Sequence, residues 1–394
     1  MFCFFNNKDV NSTKNDSLFL PQIGEKRLNL HLFLALISKR VIYVLSLLVI
    51  FEIFFKHMKV VFFSCLIFTL GVCSFAKGAE LTVYSFRHYE SDTLLFKRFT
   101  EETGIAVHLV KSKADTLLER LKAEGSKTRA DVLITSDAGR LHKARAADLL
   151  QPVQSEQLNS RIPAHLRDPE GYWYGFTLRA RVLVYAKDRV FPEELQSYES
   201  LSDEKWRGRV LVRSSSNIYN QSLLASIIAS NGEQSAYEWA KSVRGNMARS
   251  PQGSDRDQMR AVAAGLADVA IVNTYYLGLL QNSESAKDRA VADKLAVFFP
   301  NQDGRGTHVN VSGAGIVTHA DNVAGATQLL EFLASDAAQA VFPEATYEYP
   351  VVKSVEWSAS QKQWGDFKSD SINLSKLGIL NALAIRTFNT AKWE

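Results

Sequence analysis

Tyrosine recurs in this chain where strands give way to helices. Four such junctions can be read directly: "TVYSF-RHYE-SDTLLF", "VLIT-SD-AGRLH", "RVLVR-SSSN-IYNQSLLASIIAS" and "DVAIV-NT-YYLGLLQ". Three of the four carry tyrosine, at Tyr89, at Tyr219 and at the adjacent pair Tyr275 and Tyr276. Recruitment of aromatics to a core predicts no such preference for junctions. Neighbouring residues on a strand point to opposite faces, but at a helix start, with Asn273 or Thr274 as N-cap, successive side chains lie about 100° apart and both can reach one point beyond the strand end. The positive end of the helix dipole there favours the phenolate form. A phenol with a pKa of about 10 still needs strong local positive charge to ionise at neutral pH, and a bound trivalent cation supplies it. Fe(III) is a hard acid suited to oxygen anions. Three phenolates would cancel its charge, and a fourth, or the imidazole of His88 beside Tyr89, would fill its sphere further.

These residues need elements to hold them. From Glu80 onward, strand-like and helix-like stretches alternate, which predicts an α/β protein with mostly parallel strands. "ELTVYSF" (80–86) reads as a strand and "SDTLLFKRFTEETG" (91–104) as a helix with Ser91 or Asp92 as N-cap and Gly104 as its stop. "IAVHLV", "ADTLLERLKAEG", "ADVLITS" and "DAGRLHKARAADLL" continue strand, helix, strand, helix. In "GYWYGFTLRARVLVYAK" (171–187), Phe176, Leu178, Ala180, Val182 and Val184 alternate with Thr177, Arg179, Arg181, Leu183 and Tyr185. A strand of that length suits a crossover between two lobes, with a return within "KLAVFFPNQDGRGTHVNVSGAGIVTH" (294–319). Two α/β lobes joined by crossing strands enclose a central cleft, and ligands of open α/β sheets sit outside the carboxyl ends of the strands. The expected lobes are 80–180 with about 300–340, and 181–299 with about 341–394.

The first 79 residues have a different character. "MKVVFFSCLIFTLGVCSFAKGAE" has a short basic start at Met58 and Lys59, an apolar run from Val60 to Val72 and a small-x-small cleavage motif at Ser74-Phe75-Ala76, which describes a secretory signal peptide over 58–79. Residues 1–57 read as a mis-called N-terminal extension ahead of it, or as an added apolar leader. Residues 1–79 hold 9 of the 46 Lys and Arg but 4 of the 42 Asp and Glu, leaving 37 against 38 and a formal charge of −1. The basic pI therefore makes no case for nucleic-acid binding. Cys3, Cys65 and Cys73 all lie in this segment, so the remainder has no disulfide, thiolate metal site or cysteine nucleophile. With Val72 before Cys73 a lipid anchor is not expected, and the reading is an exported, periplasmic protein.

The chain resembles the periplasmic ferric-ion-binding proteins of ABC iron importers, particularly the tyrosine-rich branch containing the cyanobacterial FutA proteins. The likeness covers nearly all of 80–394 and rests on "YSFRHYESD" (84–92), "LRARVLVY" (178–185), "SSNIYNQSLLASIIA" (215–229), "DVAIVNTYYLGLL" (268–280) and "FFPNQDGRGTHVNVSGAG" (298–315). It implies a two-lobed, type II solute-binding fold holding one Fe(III) in the cleft. The matching positions are His88 and Tyr89 from the first lobe and Tyr219, Tyr275 and Tyr276 from the second. It also implies a monomer that passes its iron to an ABC transporter permease. Arg179 on the crossover strand either faces the cleft, balancing phenolate charge or holding a synergistic anion such as carbonate, or is a solvated strand arginine; Arg181 is the weaker candidate. Ser136 and Asp137 are explained by N-capping. Tyr172, Tyr174, Tyr347 and Tyr349 are read as structural, and His142, His308 and His319 as surface residues or as residues standing behind the ligands.

Two other functions compete. A receptor for a polyamine, thiamine or a phosphonate would use carboxylates, aromatic cages or helix N-termini, whereas these junctions offer tyrosines and few acids; Fe(II) in place of Fe(III) stays open, since a histidine suits either ion. A lyase would use Tyr and Arg as base and acid, but no nucleophile motif, phosphate loop or zinc spacing is present after residue 79. A binding protein rather than an enzyme is expected.

Overall fold

β-branched and aromatic runs bounded by turn residues give the strands, and apolar stripes at helical spacing give the helices that cover them. The computed structural model describes residues 79–87 and 89–394; the extension, nearly all of the signal-peptide reading and His88 lie outside the described residues. The first unit is β1 (Glu80–Ser85), α1 (Glu90–Thr103), β2 (Ala106–Lys111), α2 (Ala114–Glu124), β3 (Val132–Ser136), α3 (Ala138–Ala146), β4 (Leu150–Gln151) and α4 (Glu156–Arg161). β1 pairs in parallel with β2 and β3. Gly104 closes α1 in the left-handed conformation, φ 73°, where a Cβ would be strained.

The N-terminus of α1 departs from expectation. Tyr89, not Ser91 or Asp92, is the N-cap residue, and no side chain caps it. Asp92 instead turns to Arg87, accepting from its Nε at 2.9 Å and Nη2 at 3.2 Å. The buried guanidinium holds that carboxylate through two charge-assisted hydrogen bonds.

β5 (Tyr174–Ala186) is the crossover strand, with all thirteen residues buried. Tyr174–Ala180 pair antiparallel with β9 (Val309–Val317), whereas Arg181–Tyr185 pair with β7 (Val269–Asn273) and Leu183–Ala186 with β8 (Leu295–Phe298). One strand thus belongs to two ladders, and the chain returns between them through residues 299–308, where the Arg181 amide donates to the His308 carbonyl at 2.9 Å. The second unit adds β6 (Val210–Leu211), α5 (Ile218–Asn231), α6 (Glu233–Asn246), α7 (Asp255–Ala263), α8 (Thr274–Gln281) and α9 (Ala286–Ala292). The C-terminal part comprises α10 (Val323–Leu333), α11 (Asp336–Gln339), α12 (Val341–Thr346), β10 (Tyr349–Pro350), α13 (Ala359–Trp364), α14 (Ser375–Ile379) and α15 (Asn381–Thr390). β10 pairs with Thr177 and Leu178 of β5, while α14 and α15 pack against α5.

Burying β5 on both faces buries two charges, Arg179 and Arg181, each 2% exposed. Uncompensated, each costs several kcal/mol. Arg181 donates to Asp255, to Asn273 Oδ1 at 3.1 Å and to Asn220 Oδ1 at 2.8 Å, a set that ties β5 to α7, β7 and α5 behind the tyrosine junctions.

Candidate metal centre

A tyrosine oxygen becomes a useful ligand only where the backbone aims it at a shared point near positive charge. All four tyrosines occupy helix N-termini: Tyr89 is the N-cap of α1, Tyr219 the second residue of α5, and Tyr275 and Tyr276 the second and third of α8. Asn217 caps α5 by accepting from the Tyr219 amide at 3.0 Å. Asn273 is the N-cap of α8, but its side chain is taken by Arg181 and leaves the helix amides free of it. Each of these tyrosines thus starts from a helix N-terminus, a setting that favours anionic oxygen.

The four tyrosines line one cavity of about 260 Å³ with Phe86, Arg87, Ser136, Arg179, Arg256, Leu279, Ser312 and Glu348. The rings of Tyr275 and Tyr276 stack with centroids 4.1 Å apart and 35° between planes, and both residues line this cavity. Arg179, Arg213 and Arg181 lie 5.4, 5.8 and 5.9 Å from the centroid of the Tyr219 ring, Arg256 lies 5.7 Å from that of Tyr276, and Arg87 4.8 Å from that of Tyr89. Guanidiniums therefore lie close to three of the four tyrosine rings, and Arg87, Arg179 and Arg256 line the cavity with them.

Left to themselves Tyr89, Tyr275 and Tyr276 resist ionising. Burial pushes Tyr275 well above its ordinary pKa, repulsion from Tyr219, Tyr276 and Tyr89 adds to it, and Arg179 opposes it. Tyr276 is raised by burial, Tyr219 and Asp255, with the Tyr275 hydrogen bond and Arg213 opposing. Tyr89 is raised by burial and by Glu348, with Arg87 opposing. Crowded phenols that resist ionising one by one ionise together only when a multivalent cation replaces their protons. Among the described residues no three His, Cys, Asp or Glu come together to hold a metal.

Arg179 lines the cavity and is not solvated. Its Nη1 donates to Ser312 Oγ at 2.9 Å and Glu348 Oε1 at 3.4 Å, while Nε and Nη2 have no partner among the described residues. Ser136 reaches the cavity and Asp137 caps α3, accepting from the Gly139 amide at 2.8 Å. His308 is buried beside Arg181 and its pKa is lowered to about 3, by burial and then by Arg181, Arg305 and Arg179. It is neutral and lines a smaller enclosed space behind Tyr219 with Arg179, Arg181 and Asn273. Its lowered pKa contributes stability that is complete above the unfolded value of about 6.5 and is lost as pH falls toward 3. Acid titration of melting temperature should show that loss, and His308→Asn should flatten it.

Sequence reasoning did not find Glu348, Arg87 or Arg256. Arg87 stands beside His88 in "RHYE" and its position was the available signal. Glu348, in "YEYP", looks like an acid at a strand end, and only the long-range pairing of β10 with β5 carries it inward. The expectation of few acids needs this refinement: one carboxylate lines the cavity, and arginines neutralise it. Tyr347 packs on Gly278 of α8, where a Cβ would stand 2.5 Å from Tyr347 Cγ. Gly278→Ala should therefore lower stability by about 1–3 kcal/mol through overpacking, measured by urea denaturation.

Residues 127–367 match the family model described as bacterial extracellular solute-binding protein. Iron uptake protein A1 of Synechocystis sp. is 51% identical over 315 residues, covering 80% of this chain and 88% of its own. Iron uptake protein A2 of the same organism is 47% identical over 321 residues, 81% of this chain and 91% of its own. Among solved structures, Trichodesmium FutA in complex with iron and citrate ligands superposes with a TM-score of 0.79 at 50% identity, over 80% of this chain and all of that one. The two ladders joined through β5, the tyrosine-lined cavity and these likenesses agree, and the chain belongs to the bacterial extracellular solute-binding proteins, as a FutA-like member with their two-lobed fold.

Proposed function

We propose that this protein binds one Fe(III) outside the cytoplasm and delivers it to an ABC transporter permease for uptake. The observation that carries the reading is the convergence of Tyr89, Tyr219, Tyr275 and Tyr276 from three helix N-termini into one cavity rimmed by guanidiniums. Names of relatives support it: iron uptake proteins in Synechocystis, and a major ferric iron-binding protein in Neisseria meningitidis, 28% identical over 278 residues.

In this reading the four phenolates hold Fe(III), and His88 supplies a nitrogen donor next to Tyr89. Four phenolates around a trivalent ion leave one excess negative charge, which Arg179 offsets across the cavity floor. Its Nε and Nη2, which have no partner among the described residues, suit a planar oxyanion such as carbonate, and the Trichodesmium relative is described in complex with iron and citrate ligands. The lobes are taken as residues 80–180 with about 300–340 and 181–299 with about 341–394, with the strand at 349–350 pairing into the first ladder. Tyr89 then faces Tyr219, Tyr275 and Tyr276 across the cleft, so only the closed form satisfies all ligands, and iron binding draws the lobes together. The single chain acts as a monomer without catalysis, exported to the periplasm by the signal peptide at 58–79.

Proton release tests this. Each phenol that ligates Fe(III) gives up a proton, so affinity should rise about tenfold per pH unit for every phenol ionised, and adding ferric nitrilotriacetate to weakly buffered protein should release several protons per iron bound. Release no greater than in a protein-free control would remove the tyrosinate reading. Acidification reverses the exchange, which gives one route of discharge.

A further inference from the structure

Tyr347, Glu348 and Tyr349 belong to none of the strand-to-helix junctions, yet this segment touches three parts of the cavity wall. Tyr347 takes the left-handed backbone conformation, φ 56°, and sets its ring on Gly278 in α8, the helix that carries the tyrosine pair. Tyr349 pairs with Leu178 of β5, next to Arg179. Between them Glu348, 2% exposed, accepts from Arg87 Nη1 at 2.6 Å, from Ser312 Oγ at 3.2 Å and from Arg179 Nη1 at 3.4 Å. One carboxylate is thus shared between the loop bearing Tyr89 and the strand bearing Arg179, and it lines the same cavity as all four tyrosines.

Charge follows from this geometry. Burial opposes ionisation of Glu348, but Arg87 and Arg179 outweigh it and hold the carboxyl below its ordinary range. Asp92 balances Arg87 from the far side, leaving Glu348 the carboxylate that Arg179 meets. Taking up one electron from an external reductant, Fe(III) + e⁻ → Fe(II), makes the site one charge more negative. A fixed, poorly screened carboxylate opposes that step, and a fixed guanidinium assists it.

We propose that Glu348 is a positioning residue of the metal cavity, fixing Arg87 and Arg179 in place, and that its charge biases bound iron toward the ferric state. The proposal rests on iron occupying the tyrosine cavity. A unit charge acting over roughly 10 Å at an effective dielectric constant of about 20 changes the ferrous-to-ferric affinity ratio by roughly tenfold.

The test is a reductive titration of the iron-loaded protein with dithionite and redox mediators, following the ferric phenolate band. Glu348→Gln keeps shape and loses charge; its midpoint should rise by about 59 mV, the equivalent of tenfold for one electron. Glu348→Asp keeps the charge and should stay closer to the parent. Arg87→Gln removes a cation from the same floor and should move the midpoint down, which keeps the test open if Glu348→Gln does not fold. A crystal structure of metal-free Glu348→Gln should show Arg179 displaced. Arginines left in place would overturn the positioning role, and a midpoint in Glu348→Gln at or below that of the parent, or one in Arg87→Gln that does not fall, would overturn the charge role. A parent that takes up no iron would overturn the iron reading and this proposal with it, whereas a coloured parent with an unmoved Glu348→Gln midpoint overturns this proposal alone.

Discussion

Tyr275→Phe and Tyr276→Phe are each expected to lower Fe(III) affinity by at least about a hundredfold, beyond the 10–100-fold typical of residues that only orient metal ligands. Each variant deletes one oxygen and leaves the ring, so the 4.1 Å stack of the pair and the packing of α8 survive. Stability of the metal-free protein should fall by no more than about 0.5–1.5 kcal/mol, the net worth of the hydrogen bond that each variant removes. The charge-transfer band should weaken or move in each, since fewer phenolates donate to the metal. Competition against citrate, read by the band, measures affinity. If both variants bind as the parent does, the two phenols are core residues and the site lies elsewhere.

Asp255 should be the most costly charge to remove. It is fully buried and accepts from Arg181, from Arg213 Nη1 at 2.7 Å and from the Asn273 amide at 3.2 Å. Asp255→Ala strands two guanidiniums and an amide at the N-cap of α8 without their acceptor. Breaking a buried pair in this way costs about 3–5 kcal/mol, which urea denaturation of the metal-free variant would register. Because the same carboxylate anchors the start of the helix that carries Tyr275 and Tyr276, iron affinity should fall along with stability. A variant as stable as the parent would show that the Arg181 network does not hold the crossover together.

What the sequence made legible follows from what each residue needs locally. The thirteen-residue β5 was readable because an uninterrupted alternation of that length serves no single small sheet, and its division between two ladders at Ala180 and Arg181 follows the crossover reading. Tyr219 and the Tyr275–Tyr276 pair were readable because strand and helix signals meet beside them. Long-range pairing was not readable. Nothing near Glu348 announces that β10 will lie against β5, and nothing in "SDRDQ" announces that Asp255 will receive two arginines. The N-terminus of α1 misled for the same reason: Asp92 has the composition of a cap, but Arg87, five residues away, binds it first. Arg179 and Arg181 share a strand, and only their partners separate them. Arg181 is spent on Asp255, Asn220 and Asn273, while Arg179 keeps two donor nitrogens, Nε and Nη2, without a partner among the described residues.

The most direct measurement is the visible spectrum of the purified protein beginning near Glu80, before and after addition of ferric citrate and removal of excess iron. Ferric phenolate absorbs by charge transfer, so the account predicts a coloured protein retaining one iron per chain, with the band lost in a variant that replaces Tyr219, Tyr275 and Tyr276 together by phenylalanine. A colourless protein that retains no iron, or an unchanged band in the triple variant, would contradict it.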